Sequence, residues 1–354
     1  MAAKQRDSSI ELLRIIAMFM IVIHHYSVHG GFNLSDVSMS LNKYILSVVT
    51  WGEWAVNIFV LIFGYFSVKA EFKPKRIIRL YAQVWFYSVI LFCCYSLWNK
   101  EWSVGLAMRA IIPVISDLYW FFSRYIFLCF LMPFLNMFLQ NLSREYHLKL
   151  IILLLTVWCI LESLLPGYGL GENTIGSIRI FGLLYFIGAY MRLYPDCKVC
   201  AKKVGWTITL GSICIMMLIK FIRCWHPISL LNIDCFSTSS ILSIGFAVGI
   251  FTIFKNVNIK PNKFINTIAA CTFGVYLIHD NVYIRAFLWN YLLKNSEYQN
   301  SSYLIPHMLI SALVVFIICI IIEFIRKQTI EKLWIRFGEP FILTHLPFRN
   351  NSNK

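Results

Sequence analysis

The sequence predicts an all-α integral membrane protein with about ten transmembrane helices and both termini in the cytoplasm. Hydrophobic residues make up 59% of its 354 residues, and its mean hydropathy is +0.68, whereas a soluble domain is about 45–50% apolar. The apolar residues are gathered in runs near the length of about 20 that crosses a bilayer as a helix. The predicted spans lie near residues 10–28, 45–67, 78–98, 118–140, 148–165, 177–193, 204–222, 238–255, 265–289 and 303–325.

The distribution of basic residues sets the predicted orientation. With the N-terminus inside, the inner segments hold 22 Lys and Arg residues and the outer segments hold 7, and cytoplasmic loops are the ones that carry such an excess. The net charge of +15 therefore reflects membrane topology, and we expect no nucleic-acid partner. Residues 1–330 are predicted to form one membrane domain, and residues 331–354 a short basic cytoplasmic tail.

The first span, "IELLRIIAMFMIVIHHY" at residues 10–26, carries charged and titratable side chains. Arg14 and His25 are separated by three helical turns plus about 20°, so they share one face, with a rise of about 16 Å between them. Glu11 lies three residues before Arg14, within reach of an ion pair, and His24 points about 100° away. Two interpretations stay open. The polar residues form a track that faces the interior of the helix bundle, or Arg14 extends to the inner membrane interface while His24 and His25 lie at the outer end of the span.

The second and third spans add an amide and two arginines. Asn57 and Gly64 lie in the second span, where a buried amide must find partners and small residues favour helix packing. Arg76 and Arg79 are three residues apart on the first turn of the third span, so they share a face. Their forked donors suit phosphate, although basic residues here also serve as ordinary inner-side anchors.

Polar residues recur at the outer ends of the fourth and ninth spans. Asp117 and Arg124 are seven residues apart on one helical face, which predicts an ion pair. Trp120 between them is typical of the aromatic belt at a membrane interface. His279 and Asp280 follow the apolar run of the ninth span, which we expect to break at "HDN". His279 is either an interfacial residue or a second titratable group at the depth of His25.

The cysteines do not predict a metal site. Most of the eleven lie in apolar runs, where cysteine behaves as a small hydrophobe. The pair in "CKVC" at residues 197–200 has no second pair at metal-binding spacing. We therefore expect no metal cofactor.

Five stretches occur in one order along the chain: "ELLRIIAMFMIVIHH", "VNIFVLIFGYF", "KRIIRLY", "LYWFFSRYIF" and "FGVYLIHD". Together they resemble the bacterial membrane acyltransferase-3 family, multi-pass O-acyltransferases that modify cell-surface glycans. The resemblance covers residues 8–325. It marks Arg14, His25, Arg76 and Arg79 as the functional set. From their chemistry we expect His25 and Arg14 to be catalytic, and Arg76 and Arg79 to bind the coenzyme A phosphates. Further candidate residues are Glu11, Asn57, Trp120, His279 and Asp280.

The resemblance also implies the substrates and the location. The donor is acyl-coenzyme A, most simply acetyl-CoA, which enters from the cytoplasm. The acceptor is a hydroxyl of a cell-surface polysaccharide or of its lipid-linked precursor, and the protein resides in the bacterial inner membrane. His25 is then the general base, with a relay through an acyl-histidine as the other option.

Three other functions stay open on the sequence. A transporter or flippase for a lipid-linked sugar or small polar solute would also have polar residues within its spans and a broken helix. A membrane acyltransferase of another class would use His279 as its catalytic histidine. A membrane-embedded binding or sensor module would need neither histidine for catalysis.

Overall fold

The computed structural model describes residues 6–35, 40–161, 174–225 and 237–345. These residues form helices joined by turns and irregular segments, without strands. The helices are α1 (Ser8–Val28), α2 (Ser40–Val48), α3 (Gly52–Ser67), α4 (Pro74–Asn99), α5 (Val104–Ile111), α6 (Trp120–Gln140), α7 (Arg144–Leu155), α8 (Thr174–Leu193), α9 (Lys202–Trp225), α10 (Ile241–Lys255), α11 (Lys263–Ala269), α12 (Thr272–His279), α13 (Leu304–Gln328), α14 (Ile330–Leu333) and α15 (Glu339–His345).

Within these ranges, six helical stretches are long and apolar enough to cross a membrane. They are Ser8–Val28, Leu41–Ser67, Pro74–Asn99, Trp120–Gln140, Lys202–Cys224 and Leu304–Thr344. The other predicted spans contain shorter or less apolar helices, such as the 15-residue α10. The end of the predicted span 148–165 lies outside the described residues.

The predicted break in the ninth span is confirmed. α12 ends at His279, and Asp280 is its C-cap. A second interruption, which the sequence analysis did not predict, separates α11 from α12 at Ala270 and Cys271. α6 runs through Pro133 as one helix.

Helix starts follow local chemistry. The Asp7 carboxylate accepts hydrogen bonds from the backbone N–H groups of Ser9 and Ile10 and so caps α1. α4 begins at Pro74, whose fixed φ and missing N–H suit the first helical turn. The positions of these helix starts determine where the side chains of Arg14 and of the α4 arginines project from their helices.

α1 lies at the centre of the bundle. It packs against α3, α10, α11, α12 and α13. Its contacts with α13 show that the two helices are antiparallel, because Phe19 meets Phe316 and Tyr26 meets His307. The start of α1 is therefore beside the end of α13.

Two glycines allow α3 and α8 to cross closely. A Cβ on Gly64 would lie 2.6 Å from the Tyr185 backbone oxygen, and one on Gly188 would lie 2.4 Å from the Leu61 oxygen. Small residues at such crossings are typical of helix packing in membranes. The packing role considered for Gly64 is therefore the one that the structure shows.

Candidate functional site

One cavity of about 780 Å³ runs along α1. Both Arg14 and His25 line it, as do Arg76, Arg79 and residues of α3, α6, α12 and α13. The predicted shared face of Arg14 and His25 is therefore the face that borders the cavity.

The end of the cavity at the start of α1 is cationic. Its basic lining residues are Arg6, Arg14, Arg76, Arg79 and Lys327, and one acidic residue, Glu331, lines it there. Arg6 and Arg76 lie close enough to Arg14 for their charges to interact. Like charges that converge on one cleft raise the local concentration of anions.

The arginines at this end differ in their partners. Arg14 Nη1 lies 3.3 Å from Glu11 Oε1, which confirms the predicted ion pair. Arg79 Nε donates to Glu339 Oε2 at 2.5 Å, and Lys75 Nζ lies 2.6 Å from the same carboxylate. Arg76 forms no ion pair with any residue that the structure describes. Its charge is therefore available to a ligand.

At the other end of the cavity, two histidines are joined directly. His25 Nδ1 lies 2.8 Å from His279 Nε2, and His279 Nδ1 lies 2.5 Å from the Val275 backbone oxygen. A backbone carbonyl only accepts, so His279 Nδ1 carries the proton and the Nε2 of neutral His279 accepts. His25 Nδ1 then donates, and His25 Nε2 is left with a free lone pair.

Asp280 faces that lone pair. Its Oδ1 lies 3.7 Å from His25 Nε2 and accepts a hydrogen bond from His29 Nε2 at 3.2 Å. Arg285 Nη1 lies 3.9 Å from the same oxygen. A proton taken up by His25 Nε2 would thus create an imidazolium beside a carboxylate, which stabilises the charged form. Asp280 is placed to assist His25 as a base.

Apolar side chains line the cavity between its two ends. They include Met18 and Ile21 of α1, Phe63 of α3, Phe121 of α6 and Phe273 of α12. A passage of this kind accommodates a flexible chain of low charge while it excludes water from the reacting end.

The remaining predicted residues fall in different places. Trp120 lines the cavity, and its backbone oxygen accepts from Arg124, which also pairs with Asp117 as predicted. Asn57 is fully buried and donates to the Thr238 oxygen at 3.0 Å, which links α3 to the turn before α10. His24, which the helical period places about 100° from His25, also lines the cavity.

His24 lies where α1 packs closely against the start of α3. A Cβ on Gly52 would lie 2.3 Å from His24 Cβ, so the two helices touch at this point. The angle of 100° per residue gives the direction of a side chain from its own helix but does not say how widely the cavity extends around that helix.

Sequence analysis missed three functional candidates. His29 follows His25 by one helical turn, a spacing that could have drawn attention to it. Glu323 is fully buried and accepts from Tyr87 at 2.7 Å, Gln83 and Arg326, and its signal was a carboxylate inside an apolar run. Glu339 had no local signal, since its partners on α4 are more than 250 residues away.

Comparison with known proteins adds one decisive observation. The acyltransferase-3 family model, described as an acyltransferase domain, matches residues 7–324. The chain belongs to the acyltransferase-3 family. No curated protein and no solved structure gives a significant match. Membership in the acyltransferase-3 family supports a multi-pass membrane acyltransferase.

The match covers most of the cavity of this acyltransferase-3 protein. It includes α1 to α12 and most of α13, and therefore the linked histidines and Asp280. Arg6, Lys327, Glu331 and Glu339 lie outside it. Part of the cationic end is thus contributed by residues beyond the family match.

Proposed function

We propose that this protein is a membrane O-acyltransferase that moves an acyl group, most simply acetyl, from cytoplasmic acyl-CoA to a hydroxyl of a cell-surface polysaccharide or its lipid-linked precursor. One observation carries the proposal. A single cavity joins a cluster of cations at one end to a histidine with a free ring nitrogen at the other.

The cationic end fits the donor's phosphates. Arg76 has a fixed charge and forked donors directed at the cavity, which suit phosphate oxygens. Arg79 would contribute once it exchanged Glu339 for a phosphate. From there the donor's long arm would follow the apolar middle of the cavity and bring its thioester to His25.

Arg14 and His25 would have separate tasks. The rise of about 16 Å between them along α1 is too large for both to touch one reacting carbonyl. Arg14 is therefore assigned to the donor's polar arm, and His25 to the transfer itself. Both are catalytic candidates, and both act on the same bound donor.

His25 would act as the general base. Its Nε2 takes the proton of the acceptor hydroxyl as the oxygen attacks the thioester carbonyl. The new C–O bond forms, the C–S bond breaks, and the coenzyme A thiolate leaves and takes the proton from the imidazolium. Asp280 stabilises the imidazolium in between. The same free nitrogen also suits an acyl-histidine relay, which would leave a labelled acyl group on the protein when acceptor is absent.

The proposed topology has ten spans, both termini in the cytoplasm and the bacterial inner membrane as the location. It is supported by the excess of Lys and Arg on one side and by the antiparallel course of α1 and α13. It would place Arg76 at the cytoplasmic side and His25 in the outer half. Reporter fusions after each span test it, and two neighbouring loops on the same side would contradict it.

The central experiment measures transfer. Purified protein with labelled acetyl-CoA and surface glycan is expected to release free coenzyme A and label the glycan, and His25→Ala to abolish both. His24→Ala is the matched control, since His24 borders the cavity without the link to His279, and it should retain most activity. Equal loss in both variants at normal membrane levels would refute His25 as the base. Glycan movement without thioester cleavage would favour the transporter.

A further inference from the structure

We propose that His25, His29 and Asp280 form a binding site for a divalent transition metal of the zinc type, and that the bound ion blocks acyl transfer. The binding itself is independent of the proposed function. The inhibition rests on that function, because it requires His25 to be the base.

The three side chains come from two helix ends that face each other. His25 lies in the last turn of α1 and His29 is the C-cap of that helix. Asp280 is the C-cap of α12. One ligand atom from each of the three lies within 4.8 Å of the other two. Two histidines one turn apart on a helix and a carboxylate from elsewhere form a common zinc ligand set.

The two distances from Asp280 to the histidines are close to those of a metal site. A tetrahedral zinc ion with bonds of about 2.0–2.1 Å holds its ligand atoms roughly 3.3 Å apart. Asp280 Oδ1 lies 3.2 Å from His29 Nε2 and 3.7 Å from His25 Nε2. The His29 side chain is 19% exposed, so its ring has room for the small rotation that completes the set.

The protonation pattern at His25 and Asp280 also favours a cation, and the Nε2 proton that His29 donates to Asp280 must move to its Nδ1 or leave when the ion binds. The free lone pair of His25 Nε2 and the Asp280 carboxylate are both acceptors, and they face each other. A metal ligand histidine usually donates its other ring N–H to a fixed acceptor, as His25 Nδ1 does to His279. The second coordination shell of this histidine is therefore already present in the fold.

The ligand types select the metal. Two imidazoles with one carboxylate suit zinc, cobalt or nickel better than calcium or magnesium, which prefer oxygen ligands. All three residues line the cavity, so a fourth position would be open to water or substrate. An ion held there occupies the lone pair that His25 needs as a base.

Binding is tested with Zn²⁺ and Co²⁺ on the purified full-length protein without a polyhistidine tag. This parent protein carries Cys197→Ser and Cys200→Ser, because two thiols 2.8 Å apart would compete for added Zn²⁺. We expect one Zn²⁺ per chain by calorimetry, and Co²⁺ absorption bands without thiolate charge transfer. His29→Ala and Asp280→Asn should each weaken Zn²⁺ binding at least tenfold. His24→Ala, the matched control, should not.

His29→Gln serves as a second variant if His29→Ala fails to fold by size exclusion and thermal unfolding. If the parent protein binds no detectable Zn²⁺ when the ion is present at millimolar concentration, the proposal is overturned. So does unchanged affinity in the folded variants of both ligands.

Inhibition is a separate measurement. Zn²⁺ should stop acetyl transfer by the parent protein, EDTA should restore it, and His29→Ala should need at least tenfold more Zn²⁺ for the same fractional loss. Activity that is indifferent to Zn²⁺, or that is lost on chelation, overturns the inhibitory role. If the parent protein transfers no acetyl group at all, the proposed function fails, whereas the Co²⁺ spectra still decide the metal site.

Discussion

The link between His25 and His279 gives a prediction with a calculable size. His279→Ala removes the acceptor of the His25 Nδ1 proton in a place where His279 is fully buried. A buried donor left without its partner costs about 1–3 kcal/mol, and each 1.36 kcal/mol is a factor of ten in rate. If the cost falls on the step that uses His25, kcat decreases about 5–150-fold.

The assay is a steady-state measurement of coenzyme A release. The KM for acetyl-CoA should change little, because the arginines proposed to bind its phosphates line the other end of the cavity. His279→Gln is the conservative variant, since its amide oxygen can accept from His25 and its amide N–H can donate to Val275. It should recover most of the rate.

Two results would refute this reasoning. A rate for His279→Ala within twofold of the parent, with normal folding, would mean that the contact does not position His25. Loss of all activity in His279→Gln, together with activity in His25→Ala, would make His279 the catalytic histidine, as in the other class of membrane acyltransferase.

Three further predictions concern the donor end and the helix crossing. Arg76→Ala should weaken coenzyme A binding about 10–100-fold, the value of a hydrogen bond to a charged group, and unchanged affinity by calorimetry would reduce Arg76 to a topology anchor. Glu339→Gln should tighten coenzyme A binding severalfold because it frees Arg79 from a competing carboxylate, and weaker binding would show that the ion pair holds Arg79 in place. Gly64→Ala should lower the stability by about 1–3 kcal/mol through overpacking, while Gly182→Ala, where a Cβ meets nothing within 4 Å, should leave the melting temperature unchanged.

The sequence predicted the relationships that lie within one helix. The period of 3.6 residues placed Arg14 and His25 on one face, and it paired Glu11 with Arg14. The same rule paired Asp117 with Arg124. These predictions need only the geometry of a single helix, which the local sequence determines.

Contacts between different helices could not be predicted from the sequence. His25 and His279 are 254 residues apart, and their contact depends on how α12 packs against α1. The short helices α11 and α12 follow from an interruption that periodicity does not mark. For the same reason the contacts of Asp280 with His25 and His29 could not be predicted from the sequence.

The ionisable side chains that have partners, and those that do not, also limit which chemical groups the substrate can carry. Ionisable side chains within membrane spans are costly unless they find partners, and Glu323 shows such a group fully paired. Two groups that border the cavity are different, since Arg76 has no described ion pair and His25 Nε2 faces another acceptor. A substrate that satisfies both must carry an anion at one end and supply a proton or an electrophile at the other. Acyl-CoA with its acceptor hydroxyl would meet both conditions, whereas a small neutral solute would meet only the second.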